Sequence, residues 1–147
     1  MGQLILPTSG SIYIDTSVAI YTIEGNPDYY SLLQPLWSKF YAGEIQIISS
    51  ELILMEVLVV PLRNANNSLV ADYEELLLSS QVQLISISQL ILRQAANLRA
   101  TSNLKTPDAI HAATALSVSC NQFISNDKGF RNAPGLPVVI LSEVLAS

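Results

Sequence analysis

Two hydrophobic periods alternate along this chain. Short apolar runs at Ser11–Asp15 (SIYID), 45–48, 82–86, 122–125 and 137–141 read as strands. Between them, apolar residues recur every three or four positions, the spacing of a helix that buries one face. The segment 16–24 follows the first strand with Thr16 or Ser17 near its cap and Gly25 beyond its end. In 27–42, Tyr30, Leu33, Leu36, Trp37 and Phe40 share a face, and Pro35 predicts a kink. The segment after Ser49 and Ser50 is unusually apolar and is expected to end near Pro61, whereas 66–80 is acidic and amphipathic and 88–100 carries Arg93 and Arg99. In TPDAIHAATAL, Thr106 is expected at the cap, Pro107 at the first helical position and Asp108 in the first turn. The alternation predicts an α/β domain: a mostly parallel sheet of about five strands with helices on both faces. No repeat or linker interrupts it, so residues 1–147 read as one domain, with 1–10 as a flexible extension ahead of the first strand.

Composition sharpens this picture. Hydrophobic residues make up 50% of the 147 and charged residues 13%, which excludes a disordered tail or a charged coiled coil. With a mean hydropathy of +0.38, either the core is large or apolar surface is covered by another chain. The longest apolar stretch, 52–62, contains Glu56 and falls short of the ~20 residues that a membrane span needs. The first basic residue is Lys39, so the apolar Leu4–Leu6 has no positive region ahead of it and predicts no signal peptide. A lone Cys120 forms no internal disulfide. A soluble, cytoplasmic protein without a membrane partner is expected.

A net charge of -5 argues against nucleic-acid binding by bulk positive charge. The charge is uneven, however: residues 1–92 hold nine acids and two bases, residues 93–147 three acids and five bases.

The informative charges are four acids. Asp15 closes one predicted strand and Asp127 follows another, which in a parallel sheet places both at the carboxyl edge where such folds bind ligands. Asp108, in the first turn of a helix beginning at that edge, faces the same rim. Glu56 is the one charge on a greasy helix and needs a partner. Each acid alone has a plainer reading as turn former, helix cap or dipole compensation. Together, carboxylates without a basic partner repel, and a cation relieves them. Oxygen donors without a His or Cys cluster select Mg²⁺ or Mn²⁺. Such ions would neutralise the rim, admit a phosphodiester and activate water for in-line displacement, with Lys105, Lys128 and Arg131 as candidate phosphate contacts.

These residues resemble the PIN domain family and, within it, the VapC-type toxins of bacterial toxin–antitoxin pairs. IYIDTSV is similar to the family's opening strand with its first acid at Asp15, and SSELILMEVL to the helix carrying the second at Glu56. TPDAIHAATAL is similar to the segment of the third acid, Asp108, and FISNDKGF to the strand and turn of the fourth, Asp127. Ser125 and Ser17 match supporting hydroxyl residues. The resemblance implies a three-layer, Rossmann-like fold and a Mg²⁺-dependent endoribonuclease, homodimeric and inhibited by an antitoxin on its hydrophobic surface.

A haloacid-dehalogenase-like phosphatase would need a second acid at the position of Ser17, and a receiver domain paired acids near its start; both are missing. Two alternatives keep the fold: a non-catalytic partner-binding module, and a PIN nuclease of RNA processing. His111, one turn after Asp108 on an Ala-rich helix, reads as a packed residue.

Overall fold

The computed structural model describes residues 2–147. Five strands form one sheet, β1 (Ser11–Ile14), β2 (Gln46–Ser50), β3 (Gln83–Ile85), β4 (Gln122–Ser125) and β5 (Val138–Ile140), in the order β3-β2-β1-β4-β5. Every pairing is parallel, with Tyr13 opposite Ile48 on one side and Phe123 on the other. Seven helices connect or follow them among the described residues: α1 (Thr16–Ile23), α2 (Tyr30–Tyr41), α3 (Leu52–Arg63), α4 (Asn67–Leu78), α5 (Gln89–Thr101), α6 (Thr106–Ser117) and α7 (Leu141–Ala146). None is long and apolar enough to cross a membrane.

Period-two alternation in β1 divides the core. Ile12 and Ile14 pack into a cluster with Val18, Leu33, Trp37, Ile53 and Tyr73, contributed by α1 to α4. Tyr13 points the other way, into a cluster with Ile91, Ala95, Ala109, Ala112 and Phe123 that includes α5 and α6. The small side chains of Ala109, Ala112 and Ala113, all fully buried, let α6 approach its neighbours closely. The result is a three-layer α/β domain. Ahead of β1, Leu4 joins the first core cluster and the Ile5 carbonyl accepts a hydrogen bond from Gln122, so these residues of the expected flexible extension lie against the sheet.

Some boundaries shift from the sequence reading. Asp15 rather than Thr16 or Ser17 caps α1, accepting from the Val18 N–H. At α3 the cap is Glu51, with Ser50 Oγ accepting from the Leu52 N–H. That helix also runs two residues beyond Pro61, since proline disturbs the turn before it and asks nothing of the turn after. At α6 the cap is Lys105, whose carbonyl accepts from the Ala109 N–H, so Thr106 and Pro107 each move one place into the helix. The terminal α7 is a six-residue helix too short to announce itself by period.

Candidate active site

The sheet order reverses between β1 and β4, and the crevice outside the carboxyl ends of those strands is where open parallel sheets hold ligands. Asp15 follows β1 there and Asp127 follows β4 by two residues. Asp15 is buried and thoroughly held: Oδ1 accepts from Ser17 Oγ at 2.6 Å and the Val18 N–H at 3.3 Å, and Oδ2 accepts from Ser125 Oγ at 2.5 Å. Burial pushes its carboxyl above the ordinary value, and the two serine hydroxyls pull against that without reversing it. Asp127 is exposed; its Oδ1 accepts from the Gly129 N–H at 2.8 Å, and its own N–H donates to Ser125 Oγ at 3.0 Å. Ser125 therefore ties the two rim acids together.

Asp108 sits in the first turn of α6, partly buried. Its carboxyl is pushed up by burial first and then by the negative charge of Asp127, with further contributions from Asp15 and Glu56 that His111 partly offsets. All four predicted acids therefore share one electrostatic neighbourhood. They do not form a ready-made shell: among the described residues no three carboxylate, imidazole or thiol groups stand close enough to hold an ion as placed.

Glu56 projects from α3 and has partners that the sequence reading did not assign. Its Oε1 accepts from Thr16 Oγ1 at 2.6 Å and lies 2.6 Å from His111 Nε2. Burial alone would raise the Glu56 carboxyl, but the hydrogen bonds from His111 and Thr16 outweigh it and hold the group below its ordinary value. His111 is 2% exposed and also meets the Tyr13 hydroxyl through Nδ1 at 2.6 Å. The sequence signal was present, since His111 lies three residues after Asp108 and so on the same helix face. The sequence reading made His111 a packed residue; it is packed and also bonded to a rim acid.

The three candidate phosphate contacts are exposed. Lys105 stands at the start of α6, near Asp108 in sequence. Arg131 pairs with both carboxylate oxygens of Glu143, Nη1 meeting Oε2 at 2.6 Å, and Lys128 Nζ lies 3.9 Å from the same oxygen. Cys120 is a buried free thiol whose burial pushes its pKa up, consistent with a packing role.

The family profile of the PIN domain matches residues 12–136, the span from β1 to just before β5. The chain belongs to the PIN domain family. Solved structures place this PIN domain beside bacterial toxin–antitoxin proteins. It resembles VapBC2 from Rickettsia felis, solved bound to a DNA fragment from its promoter, with a TM-score of 0.70 and 18% identity over 88% of this chain and 98% of that one. A toxin–antitoxin complex from Klebsiella pneumoniae gives a TM-score of 0.64 and 27% identity over 88% of this chain and 97% of that one. VapC20 from Mycobacterium tuberculosis, described as a sarcin–ricin-loop-cleaving toxin, gives 0.69 and 17% over 84% and 95%. Comparison with curated proteins gives no match.

Proposed function

We propose that this PIN domain is a metal-dependent endoribonuclease and the toxin of a VapBC-type pair. One observation carries the reading: Asp108 feels the charges of Asp127, Asp15 and Glu56 at the carboxyl edge of the sheet, and His111 offsets them only in part. A hard divalent cation, Mg²⁺ or Mn²⁺, suits four carboxylates with no thiol among them. Asp15, Glu56, Asp108 and Asp127 would hold it, drawing together from their present positions. When bound, such an ion activates water and offsets the charge of a scissile phosphodiester.

The protein's own groups have distinct tasks in this reading. Ser17 and Ser125 fix Asp15 so that its carboxylate does not swing into solvent. Asp108, whose charge its neighbours disfavour, is relieved when a cation arrives. Lys105, Lys128 and Arg131 would contact flanking phosphates, the last two after leaving Glu143. RNA as substrate is supported by the description of the Mycobacterium tuberculosis neighbour. An antitoxin partner is supported by the Rickettsia felis and Klebsiella pneumoniae complexes and by the exposed apolar side chains of Met55, Val59, Val60 and Leu62 on α3, which would also serve a homodimer. The free Cys120 agrees with action in the reducing cytoplasm.

The test is cleavage of a mixed set of structured RNAs by the purified protein in Mg²⁺, Mn²⁺ or chelator, beside Asp15→Asn and Asp108→Asn. Metal-dependent cleavage lost in both variants is expected. Cleavage that persists in chelator, or in both variants, would refute the reading.

A further inference from the structure

Glu56 differs from the other three acids because a histidine engages one of its oxygens. Thr16 and His111 both engage Oε1, each at 2.6 Å, and no hydrogen bond among the described residues goes to Oε2. A carboxylate only accepts, so the His111 nitrogen facing it, Nε2, carries a proton. Its other nitrogen, Nδ1, is hydrogen-bonded to the Tyr13 hydroxyl at 2.6 Å. Tyr13 is in turn immobile: it is fully buried on the central strand, and its ring stacks on Phe123 with centroids 4.9 Å apart and planes 6° from parallel. His111 meets the Tyr13 ring edge-on and sits on α6 among the buried Ala109, Ala112 and Ala113. A rigid chain therefore runs from the middle of the sheet to one oxygen of a rim carboxylate, Tyr13 to His111 to Glu56.

We propose that His111 is a positioning residue for the metal site: backed by Tyr13, it holds Oε1 of Glu56 and leaves Oε2 as the oxygen that takes the ion. This rests on the metal-nuclease reading above and deepens it by assigning the histidine a task. The same helix then serves the site twice, with Asp108 at the rim and His111 one turn further in, and an acid on α3 is oriented from α6 and α1 rather than by its own helix. A bond to the far oxygen orients a ligand and raises its order before the ion arrives, and removing such a partner typically weakens metal affinity about 10- to 100-fold.

The test is Mn²⁺ binding to the full chain by calorimetry at one fixed pH, in a double-mutant cycle. His111→Met, similar in bulk but without a donor, is expected to weaken Mn²⁺ binding by about 10-fold or more. His111→Gln, which keeps an N–H for Glu56, is expected to recover most of that loss. In a Glu56→Gln background His111→Met is expected to have no further effect, because the carboxylate that His111 orients toward the ion is gone. A loss of equal size in both backgrounds would show a merely structural role and overturn the proposal, as would unchanged affinity in His111→Met when Glu56→Gln binds weakly. Unchanged affinity in Glu56→Gln itself would instead refute Glu56 as a metal ligand, and with it the reading on which the proposal stands. Should His111→Met fail to fold by circular dichroism, Tyr13→Phe carries the test, since it keeps the stacked ring and removes only the hydroxyl. Weakened Mn²⁺ binding that disappears in the Glu56→Gln background is then expected, and unchanged binding overturns the proposal.

Discussion

Ser125 and Asp15, 110 residues apart in sequence, are joined by a 2.5 Å hydrogen bond from the serine hydroxyl to Oδ2, and the same hydroxyl oxygen accepts from the Asp127 N–H. One buried side chain thus fixes the spacing of two acids that follow neighbouring strands. Ser125→Ala leaves a buried carboxylate short of one donor and an N–H short of its acceptor. The expected cost is about 1–3 kcal/mol, read as a lower urea midpoint at neutral pH with the slope unchanged. A midpoint equal to that of the wild type would show that water replaces the hydroxyl without loss.

Asp108 carries the opposite sign. Burial and the charges of Asp127, Asp15 and Glu56 raise its folded pKa above the unfolded value, so the folded state binds the extra proton more readily. Its contribution to stability is therefore lost as pH rises through the unfolded value toward the raised folded one. Asp108→Asn removes that penalty. In chelator at pH 7 the variant is expected to melt about 2–4 °C higher, the response of a domain this size to roughly 1 kcal/mol once solvent screening of a partly exposed group is allowed for. The rise in melting temperature should shrink as pH is lowered below the ordinary carboxylate range. A rise that does not change with pH would place its origin outside the charge of Asp108.

Periodicity carried most of the fold. The apolar run after Gly10 was legible as a strand, and the order of strands and helices admitted little besides a parallel sheet, whereas the division of Ile12 and Ile14 from Tyr13 between two cores came from the structure. Caps were less legible, because Asp15 serves two ends at once: it closes β1, caps α1 and stands at the site, and period alone assigns a residue to one element. The partner of Glu56 was predictable as a need and not as an identity. Desolvation says that a half-buried carboxylate must be satisfied, but only the packing of α6 against the sheet brings His111, 55 residues away, to within 2.6 Å. The pairing of Arg131 with Glu143 was hidden for a different reason, since α7 gives no sequence signal of its own.

That pairing leads to a prediction about substrate binding. Glu143 engages Arg131 through two hydrogen bonds and lies 3.9 Å from Lys128, so one exposed acid occupies two of the three basic residues proposed to meet phosphate. Exposed pairs contribute little to stability, and Glu143→Gln is expected to leave the melting temperature unchanged. Freed of the acid, both cations should bind RNA phosphates more readily. In the Asp15→Asn background, expected not to cleave, Glu143→Gln is expected to bind single-stranded RNA more tightly, with the dependence of log affinity on log salt steepened by about 0.7 for each additional phosphate neutralised. An unchanged salt slope would place the RNA elsewhere on the domain.

The apolar face of α3 supplies the last prediction. Met55, Val59 and Leu62 recur at four- and three-residue spacing, so they form a single stripe, and Met55 and Leu62 are 62% and 60% exposed. Ile53 and Val57 on the same helix are buried in the core, which means that the helix is anchored by one face while the other stays open to water. In a chain with only 13% charged residues, such a stripe is better explained by a covering chain than by chance. When the proposed antitoxin is absent a second copy is the cover at hand, and the purified protein is expected to sediment as a dimer. Met55→Asp with Leu62→Asp should halve the sedimenting mass, because two carboxylates facing their symmetry mates across a dry interface would each lose hydration without finding a partner. Both positions are exposed in the isolated chain, so the far-ultraviolet circular dichroism should not change. A dimer that survives the double substitution would assign self-association to another face and leave the stripe to the proposed antitoxin.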